Sequence, residues 1–332
     1  MNAQEKATTA NELNAAQQNL VLISAFTSLG KTEQLKSQLN KGLDSGLSIN
    51  EIKEALVQLY AYCGFPRSLN ALNVYKTVLD ERKLKGIVDN TGKEIVIENP
   101  TEDKYEQGRK VLETLTGVHQ QKPAPGFGEF APRTDAFLKE HLFADIFSSD
   151  VLTYQQRELV TISALASMSG VEPQLQAHIQ MGKNTGITEG QLAEVAALIE
   201  KNISQSQANT IRKIIGQTIK SEIDPGMLIR IAEIEIIPEF ADQYKTIVQE
   251  AASTSVKNES GVIAIFPMWQ RENPNQVRII EIYANNTAYQ NHLQSAHFKQ
   301  YKTSTLKMIK SLRLVDMSVL HIETMKDIFN KL

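Results

Sequence analysis

Asn19-Leu-Val-Leu-Ile-Ser-Ala25 and Glu158-Leu-Val-Thr-Ile-Ser-Ala164 are two copies of one pattern. Downstream, Gln34-Leu35 answers Gln174-Leu175, Gln38 answers His178, and Gly42 and Gly46 answer Gly182 and Gly186. One residue is inserted near Gly170. Self-similarity on this scale marks a repeat architecture. Ser48-x-x-Glu51 and Thr188-x-x-Gln191 then stand at matching places. Each is a capping box, in which the hydroxyl accepts from the third helical N–H and the acid or amide reaches back. Gly46 and Gly186 precede them, where a helix ending in a left-handed residue prefers glycine. Each repeat is thus predicted to be a helix, a glycine turn and a capped helix.

Both copies supply cores at helical spacing. Leu20, Ile23, Ala25, Phe26 and Leu29 answer Leu159, Ile162, Leu165, Ala166 and Met168. Ile52, Ala55, Leu56 and Leu59 answer Leu192, Val195, Ala196 and Ile199. Periodicity alone is equally consistent with a helical bundle that carries no chemistry. Between the copies, Glu94-Ile-Val-Ile-Glu98 reads as a short strand in a surface hairpin or linker. Lys104 to Leu115 and Phe137 to Phe147 read as helices around a Pro/Gly loop at 122–128.

After Asp224-Pro225-Gly226 the period changes. Met227 to Ile237 is a predicted strand, and Pro238 suits the start of a helix whose stripe is Phe240, Tyr244, Ile247, Val248 and Ala251. Gly261 to Trp269, Gln276 to Tyr283 and Leu312 to Ile322 are further strands, with one helix over Thr287 to Ile309. The order β-α-β-β-α-β is ferredoxin-like. The expected fold class is therefore tandem all-α repeats followed by an α+β ferredoxin-like domain. The expected boundaries are 1–100, 101–224 and 225–332.

Composition sets limits. The 332 residues are 42% hydrophobic and 22% charged, ordinary for globular domains. A net charge of −3 gives no basic field for nucleic acid or anionic lipid. Cys63 is the single cysteine, which excludes intramolecular disulfides, Cys-x-x-Cys redox chemistry and cysteine-based zinc sites. No apolar run reaches the roughly 20 residues of a membrane span. Glu5, Lys6 and Glu12 precede the apolar stretch Leu20 to Leu29, so it reads as a buried helix rather than a signal peptide. A cytoplasmic location is expected. An exported or periplasmic one applies if Met1-Asn2 replaces a removed leader. No Walker loop, dinucleotide fingerprint, HExxH or GxSxG motif is present.

Arg157-Glu-Leu-Val-Thr-Ile-Ser-Ala-Leu-Ala166, with Gln174-Leu-Gln-Ala-His178 and Gly186-Ile-Thr188, resembles the carboxymuconolactone decarboxylase family. So does Ala61-Tyr-Cys-Gly-Phe-Pro-Arg67 with Asn70-Ala71. Glu259-Ser-Gly-Val262, Ile280-Glu-Ile-Tyr283, Ala288-Tyr-Gln-Asn-His292-Leu and His297-Phe298 resemble the antibiotic-biosynthesis monooxygenase family, also described as quinol monooxygenases. The first resemblance implies cofactor-free proton transfer or decarboxylation on a small cyclic or aromatic acid. Glu158 and His178 then act as the acid–base pair. The second implies oxidation of electron-rich phenols or quinols by O2 without a bound cofactor. There His292 is catalytic, and Glu281 and Trp269 line the pocket. Both imply a small-molecule substrate and a homo-oligomer, dimeric or trimeric, with no nucleic acid or membrane partner.

The repeats are not equivalent. Asn19 and Gln38 replace Glu158 and His178 in the first copy. Asn202-Ile-Ser-Gln-Ser206 replaces Tyr62-Cys-Gly-Phe-Pro66 in the second. One composite helical site is therefore expected, with Glu158 and His178 facing Tyr62, Cys63, Phe65 and Arg67. Arg67 would hold a substrate carboxylate. The alkylhydroperoxidase-like relatives use Cys-x-x-Cys ahead of the histidine, where this chain has Val171 and Gln174. Hydroperoxide detoxification by that mechanism is therefore not expected. A non-catalytic scaffold or small-molecule binder remains the alternative. His292 and His297 are five residues apart and do not share a helical face, so no metal site is expected.

Overall fold

The computed structural model describes residues 11–96, 100–220 and 226–320. Its contacts divide the chain into two compact units, Met1–Lys220 and Ser221–Leu332.

The first unit is helical. Repeat one supplies α1 (Ala15–Leu29), α2 (Thr32–Asp44), α3 (Ile49–Gln58) and α4 (Tyr60–Leu84). α5 (Lys104–Thr116), the short α6 (Phe127–Phe130) and α7 (Pro132–Ala136), and a π-helix over Phe137–Ile146 follow. Repeat two supplies α8 (Tyr154–Ser167), α9 (Glu172–Asn184), α10 (Glu189–Asn202) and α11 (Gln205–Ile214). Both capping boxes form, at Ser48 with Glu51 and at Thr188 with Gln191. Gly46 and Gly186 turn the chain with the same φ of 98°.

The two repeats share their cores. Leu20, Ile23 and Leu56 pack with Val160 and Ala164, while Val21 and Ala25 pack with Leu159, Ile162 and Leu165. Fully burying each leucine, isoleucine or valine among these contributes about 2 kcal/mol. α1 and α8 therefore form the shared spine from which the other helices hang. α4 is not one continuous helix. Gly64 has φ 83° and ψ 156°, outside helical space, and Pro66 follows two residues later. A positive φ there is open to glycine at little cost.

The structure differs from the expected elements in two places here. Glu94, Ile95 and Val96 are not in a strand, and Ile97 and Glu98 lie outside the described residues. Nearby, the carbonyls of Asn90 and Thr91 accept from the first amides of α3 at 2.8 and 3.1 Å, so this stretch serves as a cap. Phe137–Ile146 is helical as expected but wound as a π-helix. Hydrophobic spacing does not distinguish that winding over so short a run.

The second unit is a four-stranded antiparallel sheet in the order β2-β3-β1-β4, the ferredoxin-like arrangement. The strands are β1 (Leu228–Ile236), β2 (Val262–Trp269), β3 (Gln276–Tyr283) and β4 (Ile309–Met317). α12 (Ala241–Asn258) follows β1 after a 3-10 turn at Pro238–Phe240. Ala232, Ile234, Ile236, Val277 and Ile279 pack with Tyr244 and Val248 of α12. The strand period of two places Arg230, Ala232, Ile279, Glu281 and Tyr283 on this same face.

The expected single helix over Thr287 to Ile309 is two helices, α13 (Asn286–Gln294) and α14 (Ala296–Thr305). Ser295 between them is extended, with φ −63° and ψ 148°, and its side chain accepts from the Phe298 amide as the cap of α14. β4 also begins earlier than expected, at Ile309, and Ile322 lies outside the described residues. No helix among the described residues is long and apolar enough to cross a membrane.

Candidate functional sites

In the helical unit, α8 carries Glu158 and α9 carries His178. Nδ1 of His178 stands 2.8 Å from Oε2 of Glu158, and the Glu158 side chain is fully buried. Tyr62, from the first repeat, sets its ring edge-on to the His178 ring at a centroid distance of 5.3 Å. The second Glu158 oxygen and the Tyr62 hydroxyl are both buried without a hydrogen-bond partner among the described residues. Burial, and after it the Glu158 charge, push the Tyr62 hydroxyl above the ordinary phenol range. Thr161 beside it offsets part of that shift without completing a hydrogen bond.

A polar brace that sequence reasoning missed lies behind this cluster. Arg157 is wholly buried and reaches Glu54 at 3.0 Å, Gln58 at 3.0 Å and the Ser149 carbonyl at 2.9 Å. Gln58 donates in return to the Arg157 carbonyl and to Thr161. These bonds tie α3 to α8 and so hold Tyr62 against His178. A buried arginine in a repeat core is a signal in itself, because arginine is almost never buried unpaired.

The other expected helical residues point elsewhere. Arg67 donates to the Ser28 carbonyl and contacts the Met168 sulfur at 3.7 Å rather than joining Glu158 and His178. Phe65 is 60% exposed and stacks on Tyr60 at 4.3 Å. Cys63 is half-buried, its thiol donates to the Leu59 carbonyl, and burial pushes its pKa up to about 11. Such a thiol is inert near neutral pH. A cavity of about 560 Å³ opens in this unit, but its walls are Glu54, Val57, Tyr75 and neighbours, not Glu158, His178 or Tyr62.

The second unit holds a cavity of about 470 Å³ between the sheet and its helices. His292, Glu281, Tyr283, Tyr289, Arg230 and Phe298 are among its walls. Nδ1 of His292 lies 2.8 Å from Oε1 of Glu259, which leaves Nε2 as the nitrogen free to face a ligand. Burial works against ionising Glu259, but bonds from His292 and His297 outweigh it and hold this carboxyl below the usual range. Glu281 is the reverse case. Burial raises its pKa, only partly offset by the Tyr283 hydroxyl that donates to it at 3.1 Å. The cavity thus pairs an ionised carboxylate behind a histidine with a carboxyl that resists ionisation.

Trp269 does not line this cavity. It lies at the end of β2, 53% exposed, with the Lys245 ammonium 5.1 Å over its ring. Glu259, Tyr283, Tyr289 and Arg230 were the residues missed. Glu281 and Tyr283 are two apart on one strand, so strand alternation alone places them on one face. His297 also arrives unexpectedly. Its Nε2 is 2.6 Å from the same Glu259 oxygen, because the break at Ser295 removes the helical spacing that would separate it from His292.

Residues 1–77 and 132–200 match the carboxymuconolactone decarboxylase family, and residues 227–304 match the antibiotic biosynthesis monooxygenase family. An uncharacterized protein of Methanocaldococcus jannaschii is 27% identical over 81 residues, which is 24% of this chain and 76% of that protein. A solved Bacteroides thetaiotaomicron protein provisionally named as an antibiotic biosynthesis monooxygenase is 36% identical. That match spans 29% of this chain and 91% of the other, with a TM-score of 0.29. A Nitrosomonas europaea protein with the same provisional name is 14% identical over 30% of this chain and 95% of its own, with a TM-score of 0.28. The chain therefore carries a carboxymuconolactone decarboxylase family region in its N-terminal part and an antibiotic biosynthesis monooxygenase domain at its C-terminus.

Proposed function

We propose that the C-terminal cavity oxidises a small phenol or quinol with molecular oxygen and that His292 is its base. The observation that carries this reading is the 2.8 Å bond from His292 to Glu259 at the wall of a largely aliphatic and aromatic cavity. The carboxylate fixes the imidazole tautomer, so Nε2 presents a lone pair to the cavity. The substrate hydroxyl gives its proton to Nε2, a step such a base accelerates by about 10²–10⁴-fold. The electron-rich anion passes one electron to O2, and the two radicals combine at ring carbon. The resulting hydroperoxide loses water, so one oxygen atom stays in the quinone product and the other leaves as water. Glu281, whose burial favours the protonated form, is the group placed to supply the proton for that loss.

Oxygen uptake with substituted phenols and hydroquinones tests the reading. His292→Ala should lower uptake by at least about 100-fold, while uptake that survives this substitution refutes the assignment. Glu158, His178 and Tyr62 support a second reading in the helical unit, cofactor-free proton transfer or decarboxylation on a small cyclic or aromatic acid. A titratable pair in place of the amide pair of repeat one, with the buried and unpartnered Tyr62 hydroxyl beside it, favours it. Lactone acids that release CO2, or exchange a carbon-bound proton in D2O, should stop doing so with His178→Ala.

A further inference from the structure

We propose that Glu259, His292 and His297 form a binding site for a divalent transition metal of the zinc class. One ligand atom from each lies within 4.8 Å of the others. The three come from separate elements. Glu259 caps the end of α12, His292 sits in α13 and His297 in the first turn of α14. Extended backbone at Ser295 turns the second imidazole back toward the first. No single helix offers that geometry to residues five apart.

The chemistry of the donors selects the ion. Two imidazoles and one carboxylate suit zinc and its neighbours, whereas magnesium and calcium take oxygen ligands. With both histidines neutral, the site carries one negative charge to set against two positive ones. The present contacts of 2.8 and 2.6 Å are hydrogen bonds. A tetrahedral ion with bonds near 2.0–2.1 Å needs ligand atoms about 3.3 Å apart, so each contact opens by several tenths of an ångström. Glu259 and His297 retain partial exposure of their side chains, 16% and 22%, which gives an ion a path to the site from outside. Three protein ligands leave a fourth position for water.

Occupancy has a consequence that rests on the oxidase reading. A neutral imidazole carries one N–H. With a metal on Nδ1, the proton of His292 must sit on Nε2, which then donates to the cavity instead of accepting. The base is lost, and the ion acts as an off switch located behind the catalytic ring rather than in the substrate's place.

Titration of the metal-free full chain with ZnCl2, read by calorimetry and by the visible spectrum of a Co²⁺ substitute, tests the site. One equivalent per chain is expected. Glu259→Gln and His297→Ala should each weaken binding by at least about 100-fold, more than loss of an outer hydrogen-bond partner costs. His141→Ala, at the separate His141–Asp145 contact, should leave the affinity unchanged. Absence of saturable binding, or an unchanged affinity in His297→Ala, overturns the proposal. Should Glu259→Gln fail to fold, the partly exposed His297 decides alone. Zinc should suppress phenol-dependent oxygen uptake in the wild type but not in His297→Ala. Binding without any oxygen uptake would sustain the metal site and sink the oxidase reading, whereas uptake without binding would do the reverse.

Discussion

Arg157→Leu should destabilise the helical unit by about 3–5 kcal/mol, the cost of removing one member of a buried ion pair. The guanidinium is fully buried, and burial pulls its pKa below the ordinary range despite the Glu54 bond. Its removal strands Glu54, whose side chain is 7% exposed, and leaves Gln58 Oε1 and the Ser149 carbonyl short of a donor. For a unit of this size about 2–4 °C accompanies each kcal/mol, so the melting temperature should fall by roughly 6–20 °C. The double variant Arg157→Leu with Glu54→Leu removes both charges and should recover most of the loss. Urea unfolding followed by far-UV circular dichroism measures the singles and the double as one cycle. A single-variant cost below about 1 kcal/mol, the range of exposed pairs, would refute the reasoning. So would losses that simply add, because the two charges would then not be paired in the folded state.

Glu281→Gln should stabilise the C-terminal unit increasingly as pH rises. A carboxyl whose folded pKa exceeds its unfolded one is penalised once ionised, so the gain is absent at acid pH and appears as pH climbs through the carboxylate range and above. Thermal unfolding at stepped pH checks the sign. Gly108→Ala should cost about 1–3 kcal/mol or more, because an added Cβ would lie 1.8 Å from the Lys139 carbonyl oxygen of the π-helix. Denaturation midpoints measure it. Tyr62→Phe removes a buried, unpartnered hydroxyl and should be neutral or stabilising by up to about 1–3 kcal/mol. Its proton-exchange activity should fall all the same if the hydroxyl serves chemistry. Glu158→Asn with His178→Gln copies the pair of the first repeat and should fold normally while losing that exchange, as circular dichroism and deuterium incorporation would show.

The fold was legible where the sequence marks backbone geometry directly. Ser48 with Glu51 and Thr188 with Gln191 name helix starts, because each hydroxyl has one productive partner three residues on. Strand alternation likewise locates the face that bears Glu281. The break at Ser295 was illegible, since Ser295-Ala-His297 carries no proline or glycine. A serine that caps a second helix looks, in sequence, like a serine inside one. Trp269 failed for a different reason. Side-chain period places it toward the helices, but a cavity has an end along the strand axis, and period does not say where that end lies.

In repeat one, Gln38 donates to Asn19 at the position where His178 meets Glu158 in repeat two. The fold thus asks for a hydrogen bond between the first and second helices of each copy, and an amide pair satisfies it. A short contact between Glu158 and His178 is therefore no evidence of catalysis by itself. What distinguishes the second copy is titratable chemistry placed where a neutral pair would brace equally well. Beside it sits a Tyr62 hydroxyl that the other copy lacks, since Asn202 takes its place. Burying a carboxylate with one oxygen unpaired costs stability that the amide pair avoids. That excess cost, borne where the Tyr62 ring stands edge-on to His178, sets the second copy apart from a structural brace.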